Sequence, residues 1–235
     1  MPPRKDAVAE TSGAGLLTLS CMLELDRMGH DGLRDFLHET CDAFVDGGGY
    51  FGSINTDTED PEETVAVARA VQTLLDAAAR LGIARYRDFA LEECLPRLHR
   101  FHMAEDRNGQ PTRGLLRLSD SYSSACLWEC SEAALAYFRA AQERGSAADL
   151  LAGLSVLRGI ARNHHGPLGF LPSELDWNGR MAPEKHLVPG EYGPRALTHP
   201  YMNNLHVVTS TLFYLENLAG TFDETAIVGL AGSAD

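Results

Sequence analysis

"SYSSACLWECSEAALAYFRAAQERGSAADLLAGLSVLRGIARN", Ser121 to Asn163, is the stretch on which the fold turns. Apolar residues recur at three- and four-residue intervals on both sides of a single interruption, Gly145-Ser146, which is the period of a helix and not of a strand. Glycine adopts left-handed backbone at a helix C-terminus without steric cost. Ser146 followed by Asp149 is the pattern in which a hydroxyl caps the first turn of the next helix. Two antiparallel helices are expected, about Ser121 to Arg144 and Ser146 to Asn163, with a connection short enough to make them a hairpin.

The same punctuation repeats on either side. Toward the N-terminus, a helical pattern from Leu16 to Met28 stops at Gly29, and "LRDFLHETCDAFV" (33–45) runs until "DGGG" ends it. Asp60-Pro61-Glu62-Glu63 reads as an N-cap, a first-position proline and a capping-box glutamate, opening a helix to Leu81. Gly82 then separates it from a fourth helix, Tyr86 to about His102, kinked at Pro96. Toward the C-terminus, Pro200 opens a last helix to about Leu218. Short turns alternate with long loops, so the long loops should gather on one face of an all-α array of helical hairpins. The expected layout is a flexible N-terminus (1–14), one helical-hairpin domain (15–220) and a C-terminal tail (221–235).

Composition narrows the function classes. A formal charge of −13 and a pI near 5.1 argue against nucleic-acid and anionic-membrane partners, which need clustered Lys and Arg. No apolar run approaches the roughly 18 residues of a membrane span, and "MPPRKDAVAETSG" lacks the apolar core of a signal peptide, so a cytoplasmic location is expected. Five cysteines, an odd number without a CxxC pair, fit reduced thiols.

The richest chemistry lies in "HHGPLGFLPSELDWNGRMAPEKH", His164 to His186. Glu174 and Asp176 sit two apart beside Trp177, a combination in which an aromatic ring stacks on a sugar face while a carboxylate handles a proton or activates water. His199, next to Pro200 at a helix start, is the third catalytic candidate, and His206 falls one heptad later on a similar face. Tyr122, Tyr192, Arg195 and Tyr201 join Trp177 as candidate substrate contacts. Glu184, His186 and Glu191 have irregular spacing that suits structural roles. His99 and His102 have ligand-like helical spacing beside Arg97 and Arg100, the pattern of a solvated helix end, and the pair His164 and His165 suits a helix C-terminus. Cys126 and Cys130, four apart on a helix, fit either a zinc site or buried thiols, the second being the more common use of such a pair. The expected ligand is a sugar or another small molecule, with no cofactor and no metal.

Three segments carry a resemblance. "ACLWECSEAALAYFRAA" is similar to the penultimate inner helix of the (α/α) toroid superfamily, "GFLPSELDWNGRM" to its loop bearing a glycosidase base, and "RALTHPYMNNLHVVTSTLFYL" to its last inner helix. "GGGYFGSINTD" also resembles the first hairpin loop of the 2-epimerases. That superfamily includes glucoamylase-type glycosidases, N-acylglucosamine and cellobiose 2-epimerases, and glucuronyl C5-epimerases. The resemblance implies a toroid or partial toroid and an epimerase, isomerase or glycosidase, with Glu174 at the position of the base. Two departures accompany it. A full toroid has six hairpins and this chain supplies three and a half, while Ser124 and Cys126 stand where the 2-epimerases would have histidine. Two other readings stay open: a zinc-dependent toroid enzyme acting on an isoprenoid or peptide, and a non-catalytic helical-repeat binding protein. An open half-ring would expose apolar flanks, so a homodimer is expected.

Overall fold

A computed structural model of the chain describes residues 5–30, 32–49, 52, 60–164, 171–178, 195–196 and 200–222, with the backbone alone for 5–14, 195–196 and 200–204. The helical region expected as one domain divides into two compact units, Met1–Arg100 and Phe101–Asp235.

In the first unit, α1 (Lys5–Arg27) and α2 (Arg34–Asp46) form a hairpin that packs on α3 (Thr64–Leu81). α1 starts eleven residues before the expected Leu16, inside the stretch expected to be flexible, because "DAVAE" is a run of good helix formers. α3 starts at Thr64 rather than after an Asp60 cap. Glu62 is drawn into a backbone bridge with Gly52, and its carboxylate accepts from Arg100 at 2.6 Å and Arg97 at 3.5 Å. Arg97 also donates to the carbonyls of Gly48 and Gly49 at 3.0 and 3.2 Å, which ties the glycine run after α2 to the same corner. Gly82, left-handed at φ 73°, closes α3 as its position predicts. α4 (Ala84–Phe89) and α5 (Leu95–His99) follow, separated by a π-helical turn, Ala90–Cys94. Pro96 lacks the N–H that an α turn needs at this point, so the expected kink takes the form of a widened turn.

In the second unit the decisive hairpin forms as its punctuation requires. α6 (Leu127–Arg144) ends at Gly145 (φ 61°), and Ser146 Oγ accepts from the Asp149 amide at 3.2 Å to open α7 (Ala147–Ala161). α6 begins six residues later than expected, because Ser124–Cys126 is strand β1. Small residues let α7 come close: Gly153 faces the Phe138 ring, and Gly159 faces the backbone of Arg113 to Leu115. α8 (Pro200–Asn217) lies along α6. Trp128 and Glu132 meet His206, Ser131 meets Ser210 and Phe138 meets Tyr214, so the two helices run parallel, both starting at the loop end. The opposite side of α8 leaves Leu205, Val208, Leu212 and Leu215 exposed, and α1 exposes Leu17 and Leu25, with Met28 exposed just after it.

Candidate functional site at the loop end of α6 and α8

The loop end of the second unit is built on a small antiparallel sheet. β1 (Ser124–Cys126) pairs with β2 (Glu174–Asp176), which pairs with β3 (Arg195–Ala196). Ser124 lies opposite Asp176, Cys126 opposite Glu174, and Glu174 opposite Ala196. The ladder extends beyond the strands through Leu127 N–H to Ser173 O (2.9 Å) and Trp177 N–H to Ser123 O (3.1 Å). The loop that sequence reading singles out as reactive is therefore hydrogen-bonded to the segment entering α6, and its third strand leads toward α8.

The preceding long loop is fastened to the same place. Asn108 and Gly109, at φ 48° and 74°, form the two central positions of a turn between the bridged Arg107 and Gln110, the Asn-Gly turn that hairpins favour. The Asn108 side chain then donates to the Trp177 carbonyl at 3.0 Å and to Asn178 Oδ1 at 2.8 Å. At its base, Asp106 takes two hydrogen bonds from Arg162 and one from the Arg113 amide, which hold its carboxyl below the usual carboxylate range. Two of the long loops thus meet, as the alternation of connections predicts.

Alternation along β2 puts Glu174 and Asp176 on one face, and both residues are buried. Their surroundings differ. Asp176 Oδ1 accepts from Ser123 Oγ at 3.1 Å and from the Asn178 amide at 2.8 Å, so this carboxylate holds the Trp177 turn to β1. Glu174 stands nearer α6, across the ladder from Cys126. Trp177 is half-buried at the rim and Tyr122 is exposed. β3 includes Arg195 and α8 includes Tyr201, while their side chains, and all of His199, Tyr192, Glu184, His186 and Glu191, lie outside the described residues.

One turn into the helices is a second polar cluster. His206 Nδ1 is 2.6 Å from Glu132 Oε1, and the Trp128 ring lies 5.4 Å from the imidazole, centroid to centroid. Ser131 Oγ donates to the His206 carbonyl at 2.7 Å and lies 2.7 Å from Ser210 Oγ, which fixes the helix carrying the histidine. The Glu132 side chain is 7% exposed and that of His206 25%. Glu129, in the first turn of α6, is buried as well. Sequence reading passed over Glu132. The available signal was two carboxylates, Glu129 and Glu132, interrupting a run that is otherwise apolar or small.

Cys130 Sγ accepts from the Leu116 amide and donates to the Leu116 carbonyl, each at 3.4 Å, and burial pushes its thiol up to about 12. Cys126 is half-buried on β1. Among the described residues, no group of three His, Cys, Asp or Glu side chains is arranged to hold a metal ion. His102 Nε2 lies 3.1 Å from the Gly114 carbonyl, with the ring edge-on to Tyr137, and so braces the loop. No described helix is long and apolar enough to cross a membrane.

Against known proteins, the likeness is one of fold. The chain is similar to the crystal structure of a sugar epimerase from a ruminal bacterium, with a TM-score of 0.59 and 15% sequence identity over 88% of this chain. It spans 53% of that protein's length. Together with the helical hairpins, this places the chain in the class of mostly helical, (α/α) toroid-like folds. No protein-family model and no curated protein matches it.

Proposed function

We propose that the protein is a carbohydrate-acting enzyme, an epimerase, isomerase or glycosidase, working at the loop end of α6 and α8. The observation that carries this reading is Glu174: a buried carboxylate on a strand hydrogen-bonded to the entrance of α6, three residues before a half-buried tryptophan, in a fold similar to that of a sugar epimerase. Burial keeps water from competing for the carboxylate, and the sheet fixes its position, both of which a proton-transferring group needs. Trp177 supplies the flat apolar surface on which sugar C–H faces stack. Asp176 serves as the brace of the turn, Tyr122, Tyr192, Arg195 and Tyr201 as contacts to hydroxyls, and His199 as a second proton carrier beside the start of α8.

The zinc-dependent alternative draws less support, since Cys130 is committed to the Leu116 backbone. The test is direct: reducing hexoses, N-acetylhexosamines and oligosaccharides are incubated with wild-type protein and with Glu174→Gln, and products are followed by proton NMR. Turnover of one class by the wild type and its loss in the variant is the expected result. A wild type that neither binds nor converts any member of the panel refutes the reading.

A further inference from the structure

α8 is inverted in polarity for a helix packed on its own chain. Of its described side chains from Leu205 to Asn217, only Ser210 is buried, bonded to Ser131 of α6, and His206 and Tyr214 flank it on the same side of the helix, against Glu132 and Phe138. The opposite side carries Leu205, Val208, Leu212 and Leu215, which are 66, 50, 47 and 56% exposed. A surface helix normally turns its aliphatic side inward and its polar side to water. The four exposed positions follow one another at intervals of three, four and three residues, the a and d positions of a heptad and thus the narrow seam that one helix presents to a single partner helix. The helix is also almost without charge: Glu216 is the only Asp, Glu, Lys or Arg among its 18 residues, in a chain of which 23% is charged. Exposed apolar surface depleted of charge, running for three helical turns, has the composition of an interface core.

We propose that this face of α8 joins two copies of the chain, the two α8 helices lying antiparallel across a twofold axis level with Ser210. The spacing identifies the occupant. Reversing the direction of the helix exchanges Leu205 with Leu215 and Val208 with Leu212, so the stripe matches itself, as an isologous contact requires. Charge sets the direction. Antiparallel alignment carries Glu216, which sits at the unfavourable negative end of its own helix, to within about one turn of the positive start of the partner's α8, whereas parallel alignment would set the two Glu216 side chains beside each other. The chain spans 53% of the length of the sugar epimerase to which its fold is similar, so two copies supply about one such length of chain. The contact uses the side of α8 turned away from Glu132 and stands independently of the carbohydrate reading.

Sedimentation velocity over a micromolar concentration series reads the assembly directly. The wild type should sediment as a dimer of the 25.6 kDa chain. Two chains of net charge −13 repel each other, so the dimer should strengthen as salt rises from low to physiological concentration. Leu212→Glu buries an acid in the seam and should weaken dimerisation by about a hundredfold or more. Val208→Lys should do the same with the opposite charge. Both positions are exposed in the single chain, so far-UV circular dichroism of each variant should match the wild type. Mixed in equal amounts, the two variants should dimerise again, because antiparallel alignment sets the introduced acid of one copy against the introduced lysine of the other. A monomeric wild type overturns the proposal, and protection of amides 205–215 from exchange in that monomer would assign the face to another part of the same chain. A dimer that Leu212→Glu leaves intact, or that salt dissociates, overturns the apolar seam. A mixture of the two variants that stays monomeric overturns the antiparallel register.

Discussion

Gly153 on α7 lies so close to the Phe138 ring on α6 that a methyl group added to it would stand 2.4 Å from Cε1 and 2.6 Å from Cδ1. Glycine inside a helix is normally a defect. Here it sets the distance at which the two helices of the decisive hairpin pack. Gly153→Ala should therefore destabilise the protein. Alanine regains roughly 0.5–1 kcal/mol of helix propensity, but overpacking against a fully buried ring costs about 1–3 kcal/mol. Chemical denaturation should show a lower midpoint, and an unchanged or raised one would mean that the ring moves aside freely.

Glu174→Gln and Asp176→Ala should fail in different ways. The first keeps shape and most hydrogen bonding but cannot take a proton, so turnover should fall by roughly a hundredfold or more with little change in stability. The second leaves the Ser123 hydroxyl and the Asn178 amide without their acceptor. It should cost about 1–3 kcal/mol in folding free energy. Thermal melts and initial rates measured on the same preparations separate the two roles.

Trp177→Ala should weaken binding of the sugar identified in the screen by roughly 1–3 kcal/mol, through lost stacking and buried area. The carbonyl that Asn108 contacts belongs to the backbone and survives the substitution, so the turn should hold. Titration calorimetry reads the loss; full affinity in the variant would remove Trp177 from the site.

The Asp106 carboxyl is held low first by its hydrogen bonds from Arg162 and then by the Arg113 amide. A folded-state value below the unfolded one means that its contribution is present above the unfolded aspartate pKa and is lost as pH falls through the folded value. Stability of the wild type should drop on acidification below about pH 4, and Asp106→Asn should make that drop shallower. Melting temperatures taken across the acid range give the comparison; parallel curves would show that the pair contributes nothing to the fold.

The sequence by itself determined the helical hairpins. Gly82 and Gly145 fix left-handed helix ends, Ser146 and Asp149 cap the next helix, and the apolar period supplies a face to bury. Each of these signals acts within about one helical turn. The mostly helical, toroid-like class follows from such local rules, and so does the expectation that long loops gather, which Asn108 and Trp177 bear out within the second unit.

Only the tertiary structure decided where α6 begins and what stands beside it. Ser124–Cys126 has no alternation long enough to announce a strand, and it becomes one because Glu174–Asp176 comes to lie beside it. Glu62 likewise leaves the helix pattern because Gly52, Arg97 and Arg100 draw it away. The pairing of His206 with Glu132 was equally hidden, since each residue alone fits an ordinary helix. Such contacts depend on which faces of distant segments are pressed together once the cores of α6, α7 and α8 are buried. A linear pattern records which residues seek the interior, but not which polar neighbours they will meet there.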